Sequence, residues 1–198
     1  MLDPALALYL PSSSIHMVEE LLQHHPIEVR IVKKRKTKHG DFRRSPNGRV
    51  QITLNEHPNG YRFLITFLHE MAHHIAFQKH GYSIRPHGEQ WQAAYREVVA
   101  SFLEAAVFPS PLDAVYAQHM QRPKASSDTD IHLAQALRAY DPPTNKIPLM
   151  NVEEGECFAL DNGRRFEKGP QRRKRFTCRE LSTGKLYLIQ PLVEVVSL

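Results

Sequence analysis

Residues 58–81 read PNGYRFLITFLHEMAHHIAFQKHG. Tyr61, Leu64, Ile65, Leu68, Met71, Ala72 and Ile75 recur at the three- and four-residue spacing of a helix with one buried face. The helix is expected to begin between Pro58 and Tyr61 and to end near His80-Gly81, where the glycine can take a left-handed cap. In its middle stands His69-Glu70-Met71-Ala72-His73. Residues four apart lie one turn up the same face, so both imidazoles can point at one ion. Zinc accepts neutral imidazole nitrogen and prefers four ligands. Glu70 lies about 100° around the helix from His69, so it can flank an ion without ligating it, as a base for an attacking water must.

A third ligand has to come from another segment. The metzincin pattern requires Gly at position 76 and His at 79, where Ala76 and Lys79 stand. A gluzincin arrangement would take Glu97 or Glu89 from the next helix. His87 is the stronger choice, because it sits in a break between Pro86 and Gly88 just before a second amphipathic helix, Glu89 to Ala105. His74 is one step off the ligand face and reads as a supporting or surface residue. His80 suits the helix end.

Upstream, Ser12-Ser13-Ser14 supplies capping hydroxyls to a helix over about residues 14–25 that Pro26 stops. Alternation predicts strands at Ile27 to Val32 and Val50 to Leu54, with a short one at Asp41 to Arg44 after the turn His39-Gly40-Asp41 and before the turn Pro46-Asn47-Gly48. Val50 to Leu54 is expected to offer an edge to an extended peptide. Downstream come short helices near 112–120 and 130–140, a linker around Asp141-Pro142-Pro143-Thr144-Asn145, and β-like runs at 156–160, 173–180 and 185–196 with turns at Asn162-Gly163 and Thr183-Gly184.

His69-Glu70-Met71-Ala72-His73, followed by Pro86-His87-Gly88-Glu89-Gln90-Trp91, resembles the SprT-like metalloprotease family, whose pattern is HExxH, a loop, and His-Gly with an aromatic three residues on. The resemblance spans about Ile15 to Ala105. It implies zinc as cofactor, His69, His73 and His87 as its ligands, Glu70 as the catalytic residue, and hydrolysis of peptide bonds, here of proteins associated with DNA. The expected fold is α+β: a zincin-like metalloprotease core with a small antiparallel sheet packed on the HExxH helix, and a β-rich C-terminal extension. The expected division is 1–140, a linker at 141–150, and 151–198. Bacterial members often end in a zinc ribbon with paired CxxC knuckles. The lone Cys157 and Cys178 cannot complete one, so no second zinc is expected. For a further oxyanion donor, Tyr82, Arg85 and Tyr95 are candidates that each have a structural reading as well.

The chain has 198 residues and a formal charge of +5. Residues 28–49 carry nine Lys/Arg against two acids, and so do residues 164–185, so the remainder is acidic. The blocks Lys33-Lys34-Arg35-Lys36 and Arg172-Arg173-Lys174-Arg175 are either a nucleic-acid surface, with Phe166, Phe176 and Tyr187 stacking on bases, or the solvated faces of strands over a small packed sheet. The rival to an enzyme is a non-enzymatic nucleic-acid-binding protein with a structural zinc. Two cysteines argue against a secreted disulfide framework, and two free thiols are expected. No stretch approaches the roughly 20 apolar residues of a membrane span, and the N-terminus lacks a signal-peptide pattern, so a cytoplasmic protein is expected.

Overall fold

The computed structural model describes residues 2–198 apart from Lys36, Pro46, Ser127 and Asp128. The chain divides into two compact units, residues 1–142 and 143–198. In the first, α1 (Pro4–Ala7) and α2 (Ile15–His24) precede β1 (Glu28–Val32), β2 (Gly40–Arg44) and β3 (Val50–Asn55). Four helices follow: α3 (Gly60–His80), α4 (Glu89–Glu104), α5 (Leu112–Met120) and α6 (Ile131–Arg138). The architecture of this unit is α+β. Among the described residues no helix is long and apolar enough to cross a membrane.

The three strands form one sheet in the order β1-β3-β2. It is mixed, with β1 parallel to β3 and β2 antiparallel to it, which corrects the expected antiparallel sheet. Alternation reports which side chains share a face but not which strands are neighbours, so the crossover from β1 to the far edge was invisible. It also corrects the expected peptide edge: β3 is central and paired on both sides, and among the described residues the free edges belong to β1 and β2. The centre position accounts for the burial of Thr53 and Asn55 beside Ile52 and Leu54. Arg35 satisfies their polar atoms, donating to Asn55 Oδ1 at 2.7 Å and Thr53 Oγ1 at 3.1 Å.

Helix α3 is held at both ends. Asn59 is the N-cap, accepting from the amides of Tyr61 (3.0 Å) and Arg62 (3.1 Å). Its own amide donates to the Leu137 carbonyl (2.8 Å) and to Asp141 (2.6 Å), which also pairs with Arg62 at 3.0 Å. Asp141, expected in the linker, therefore anchors the start of α3. At the other end Gly81, at φ +72°, returns its N–H to the Phe77 carbonyl at 2.8 Å, a turn that a side chain would strain. The core of this unit gathers Ile52 and Leu54 of the sheet, Phe63, Phe67, Leu68 and Met71 of α3, and Trp91, Tyr95 and Phe102 of α4.

The second unit holds an antiparallel sheet in the order β4-β9-β5-β6-β7-β8, comprising β4 (Ile147–Pro148), β5 (Cys157–Ala159), β6 (Arg165–Arg172), β7 (Arg175–Glu180), β8 (Leu186–Ile189) and β9 (Glu194–Ser197). Residues 147–150, expected as linker, carry β4 and most of the 3-10 turn Leu149–Asn151. Strand β6 escaped the sequence because Gly169-Pro170 interrupts it, and the pairing shifts between Lys168 and Gln171, the kind of irregularity where a strand tolerates proline. Its core contains Leu149, Val152, Phe158, Phe166, Cys178 and Val195. Lys168 is buried there, its ammonium donating to the Val152 and Met150 carbonyls over the Phe176 ring. Phe166 is buried, and Phe176 and Tyr187 pack against the same core, so these aromatics build the sheet rather than offer open stacking faces.

Because the buried Asn59 side chain serves four partners, Asn59→Ala removes the cap of α3 together with its bonds to the Leu137 carbonyl and Asp141. The expected loss is about 2 kcal/mol of unfolding free energy, measured as a lower midpoint in urea with an unchanged slope. An unaltered midpoint would show that α3 is not anchored there.

Candidate metal centre

Residues 69 and 73 lie one turn apart on α3, so their side chains leave the helix in the same direction. His87 reaches them from the α3–α4 connection. Its backbone is left-handed, φ +57°, an uncommon conformation for a non-glycine residue and one that marks constraint. The Nε2 atoms of His69 and His87 are 3.2 Å apart and those of His73 and His87 3.0 Å. Three nitrogens converge on one point, all within 4.8 Å of one another, and they form the one group among the described residues that could hold a metal ion. Burial lowers the pKa of all three rings, His69 to about 2 and His73 to about 4, reinforced for these two by neighbouring histidines. The rings are therefore neutral at pH 7, with lone pairs available to a cation.

Trp91, the aromatic after His-Gly, is the floor of this cluster. It is fully buried, with ring centroids 4.8 Å from His69, 5.3 Å from His73 and 4.7 Å from His87. Behind it Tyr95 packs on His69 and shares a 2.9 Å hydrogen bond with the Tyr116 hydroxyl. Burial raises the pKa of both phenols, which stay protonated. Tyr95 is thus structural. Tyr82 is exposed and clasped by Arg44 at 4.6 Å. Arg85 is exposed at the cleft rim.

Glu70 faces the sheet side of the same cleft, which has a volume of about 680 Å³. Its Oε2 accepts the Phe42 N–H of β2 at 2.8 Å. Burial raises its pKa to about 7, partly offset by that hydrogen bond. Strand β2 can come so close because residue 40 is glycine: a Cβ there would stand 2.9 Å from Glu70 Cγ and 2.9 Å from Thr66 Cγ2. Asp41 next door is tied up by Thr53, Arg35 and Arg43. Burial alone would raise its pKa, but the hydrogen bonds from Thr53 and Arg35 outweigh it and hold the carboxyl below its usual range.

A family model for the SprT-like family matches residues 12–110, half of the chain. The chain belongs to the SprT-like family. No curated protein and no solved structure matches it. The matched span holds His69, Glu70, His73, His87 and Trp91, and it ends before α5.

Other residues singled out from the sequence lie elsewhere in this SprT-like chain. Glu97 is exposed and paired with Lys79 at 2.9 Å, and Glu89 is exposed, so neither joins the cluster. His80 stands exposed in the last turn of α3. His74 is neither at the surface nor beside the triad. It is buried against Phe42, with no hydrogen bond of normal geometry on either nitrogen, and only the Pro26 carbonyl favours its charged form. Of the first basic block, Lys33 and Lys34 precede a residue, Arg35, that is turned inward onto Asp41, and Lys36 lies outside the described residues. Arg172 to Arg175 form the exposed turn joining β6 to β7. Missed altogether were the Phe42 amide, Gly40 and His119 of α5. Each meets the cleft through a contact between segments far apart in sequence, and His119 carried no motif.

Gly40→Val sets a branched side chain against Glu70 and Thr66. The expected outcome is displacement of the Glu70 carboxylate with the histidine cluster intact: undiminished metal binding by elemental analysis, and a weakened Phe42 amide bond seen as faster amide hydrogen exchange at that residue.

Proposed function

We propose that this chain is a zinc-dependent endopeptidase with a zincin-like core, in which His69, His73 and His87 hold the metal and Glu70 is the catalytic base. The observation that carries the reading is the convergence of three neutral imidazole nitrogens beside a buried carboxylate on one cleft. The spacing suits zinc: at Zn–N distances of about 2.0–2.1 Å, tetrahedral geometry puts ligand nitrogens about 3.3 Å apart, close to the 3.0 and 3.2 Å found here. Three protein ligands leave one position open, as in catalytic rather than structural sites.

When bound, zinc supplies a water acidic enough to attack at neutral pH and a Lewis acid for the carbonyl. The protein's residues do the rest. Glu70, anchored through Oε2 by Phe42, keeps Oε1 to accept the proton of the attacking water and pass it to the leaving amine nitrogen. An unfavourable environment for its charged form suits a group that must both take and release a proton. Among the described residues the outer edge of β2 has no strand partner, and apart from the Phe42 N–H, which Glu70 takes, it can pair with an extended substrate through its main chain, which asks little of the substrate's sequence.

Glu70→Gln is expected to keep one zinc per chain and to lose at least about a hundredfold in cleavage of unfolded casein. His87→Ala is expected to lose both zinc and cleavage. Cleavage surviving in Glu70→Gln would sink the mechanism, and no zinc in the wild type would sink the site.

The rival reading, a structural zinc in a nucleic-acid-binding protein, leaves the open ligand position and the buried carboxylate without a use. Nucleic acid enters our reading as a partner that localises the protease on DNA-associated proteins, held by the exposed Arg172–Arg175 turn and by Lys33 and Lys34. Replacing Arg172, Arg173, Lys174 and Arg175 together by Ala is expected to weaken DNA binding and to flatten its salt dependence by up to about four charges' worth of slope, with zinc content unchanged. An unaltered slope would remove this turn from the interface.

A further inference from the structure

One titratable group on the cleft has no part in the scheme above. His119, on α5 and beyond the residues matched by the family model, lines the same cleft as His69, Glu70 and His87. Its side chain is only 2 % exposed. Nδ1 lies 2.8 Å from Asp130 Oδ2. An ionised carboxylate accepts only, so Nδ1 carries the proton of that bond and Nε2 is the nitrogen left to face the cleft.

Asp130 is itself held in place. It caps α6, with Oδ1 accepting the Leu133 amide at 3.3 Å, and Lys124 stands 3.7 Å from Oδ2. Burial alone would raise its pKa, but the hydrogen bonds from His119 and Leu133 prevail and keep it ionised. The ring also packs on Tyr116, whose hydroxyl meets that of Tyr95, which lies against His69. His119 is near enough for its charge to be felt at His69.

We propose that His119, oriented by Asp130, is the hydrogen-bond donor to the carbonyl oxygen of the scissile peptide bond. This rests on the endopeptidase reading and names the oxyanion donor that reading lacks. In its doubly protonated form, with the Nε2 proton drawn from solvent before substrate binds, the ring is a cation whose counter-charge, Asp130, is already in contact. Its Nε2–H then donates to the oxygen as that atom gains negative charge, and the proton stays on the ring throughout. The carbonyl oxygen thereby receives a donor fixed in advance by Asp130, the kind of preorganised donor that stabilises developing negative charge. Glu70 handles the water's proton from beneath β2, and His119 answers the charge from α5. His119 is the catalytic residue here and Asp130 a positioning residue.

The test uses the full-length chain loaded with zinc and an N-phosphoryl dipeptide, a stable tetrahedral anion, titrated by calorimetry with zinc measured in the same samples. Wild type is expected to bind it. His119→Phe, which has no donor, is expected to keep its zinc and bind at least about tenfold more weakly. Asp130→Asn, which preserves the α6 cap and an acceptor for Nδ1 while removing the charge, is expected to fall between them. Equal affinity in wild type and His119→Phe, or no binding by wild type, overturns the proposal. A measurement that needs no variant is histidine-labelled NMR of the wild type: the Nε2 signal of His119 should shift on adding the dipeptide, and a static signal overturns the proposal as well. Cleavage of casein is scored separately. If only this inference fails, cleavage persists and still depends on Glu70; if the endopeptidase reading fails, no Glu70-dependent cleavage is seen.

Discussion

Helix α3 is enclosed along most of its length, with eleven of its twenty-one side chains buried. Ile52 and Leu54 of the sheet pack on it together with Trp91 and Tyr95 of α4, and Asn59 and Gly81 close its two ends. A helix packed on several sides cannot roll by even one residue, about 100°, without driving apolar side chains into the cleft and polar ones into the core. The directions in which His69, Glu70 and His73 leave the helix are therefore set by the packing of residues that never touch a ligand. The cleft inherits its geometry from this constraint.

The same enclosure explains the electrostatics. Burial is the first cause of every large pKa displacement at the site: downward for the histidines, upward for Glu70. The bases are left neutral and a carboxylate is left poised, and both conditions come from low solvent access rather than from a designed set of charges. The nearest charged cluster sets one carboxylate, Asp41, among Arg35, Lys38 and Arg43; it braces β2, and its charges act on Glu70 less than burial and the Phe42 hydrogen bond do. Strand β2 then acts as a wall, near enough for its amide to grip Glu70 because Gly40 brings no side chain between them.

Much of the first unit was legible in the chain alone. The helical period of residues 61–75, the glycine that ends the helix at Gly81, and the break at Pro86-His87-Gly88 all follow from local physics and reappear within a residue or two, whereas the Asn59 cap at its start emerged only in the structure. The small sheet was legible as three strands but not as an arrangement, because strand order is settled by which faces find partners in three dimensions. Strand β6 was hidden by Gly169-Pro170, and Asp141 looked like linker although it is a tertiary anchor. His74 shows the converse: a histidine beside the motif whose burial against Phe42 no spacing rule could announce.

The sequence by itself determined the helix, the pair of imidazoles one turn apart, the carboxylate beside them and the third histidine at a chain break, since these depend on spacing along 3.6-residue turns and on the stiffness of proline and freedom of glycine. Only the tertiary structure decided that β2 rather than β3 is a free edge, that the Phe42 amide holds Glu70, and that His119 and Asp130 meet at the same cleft. Those contacts join segments between eleven and dozens of residues apart, and their geometry is dictated by how whole elements pack, a property no local stretch of residues contains.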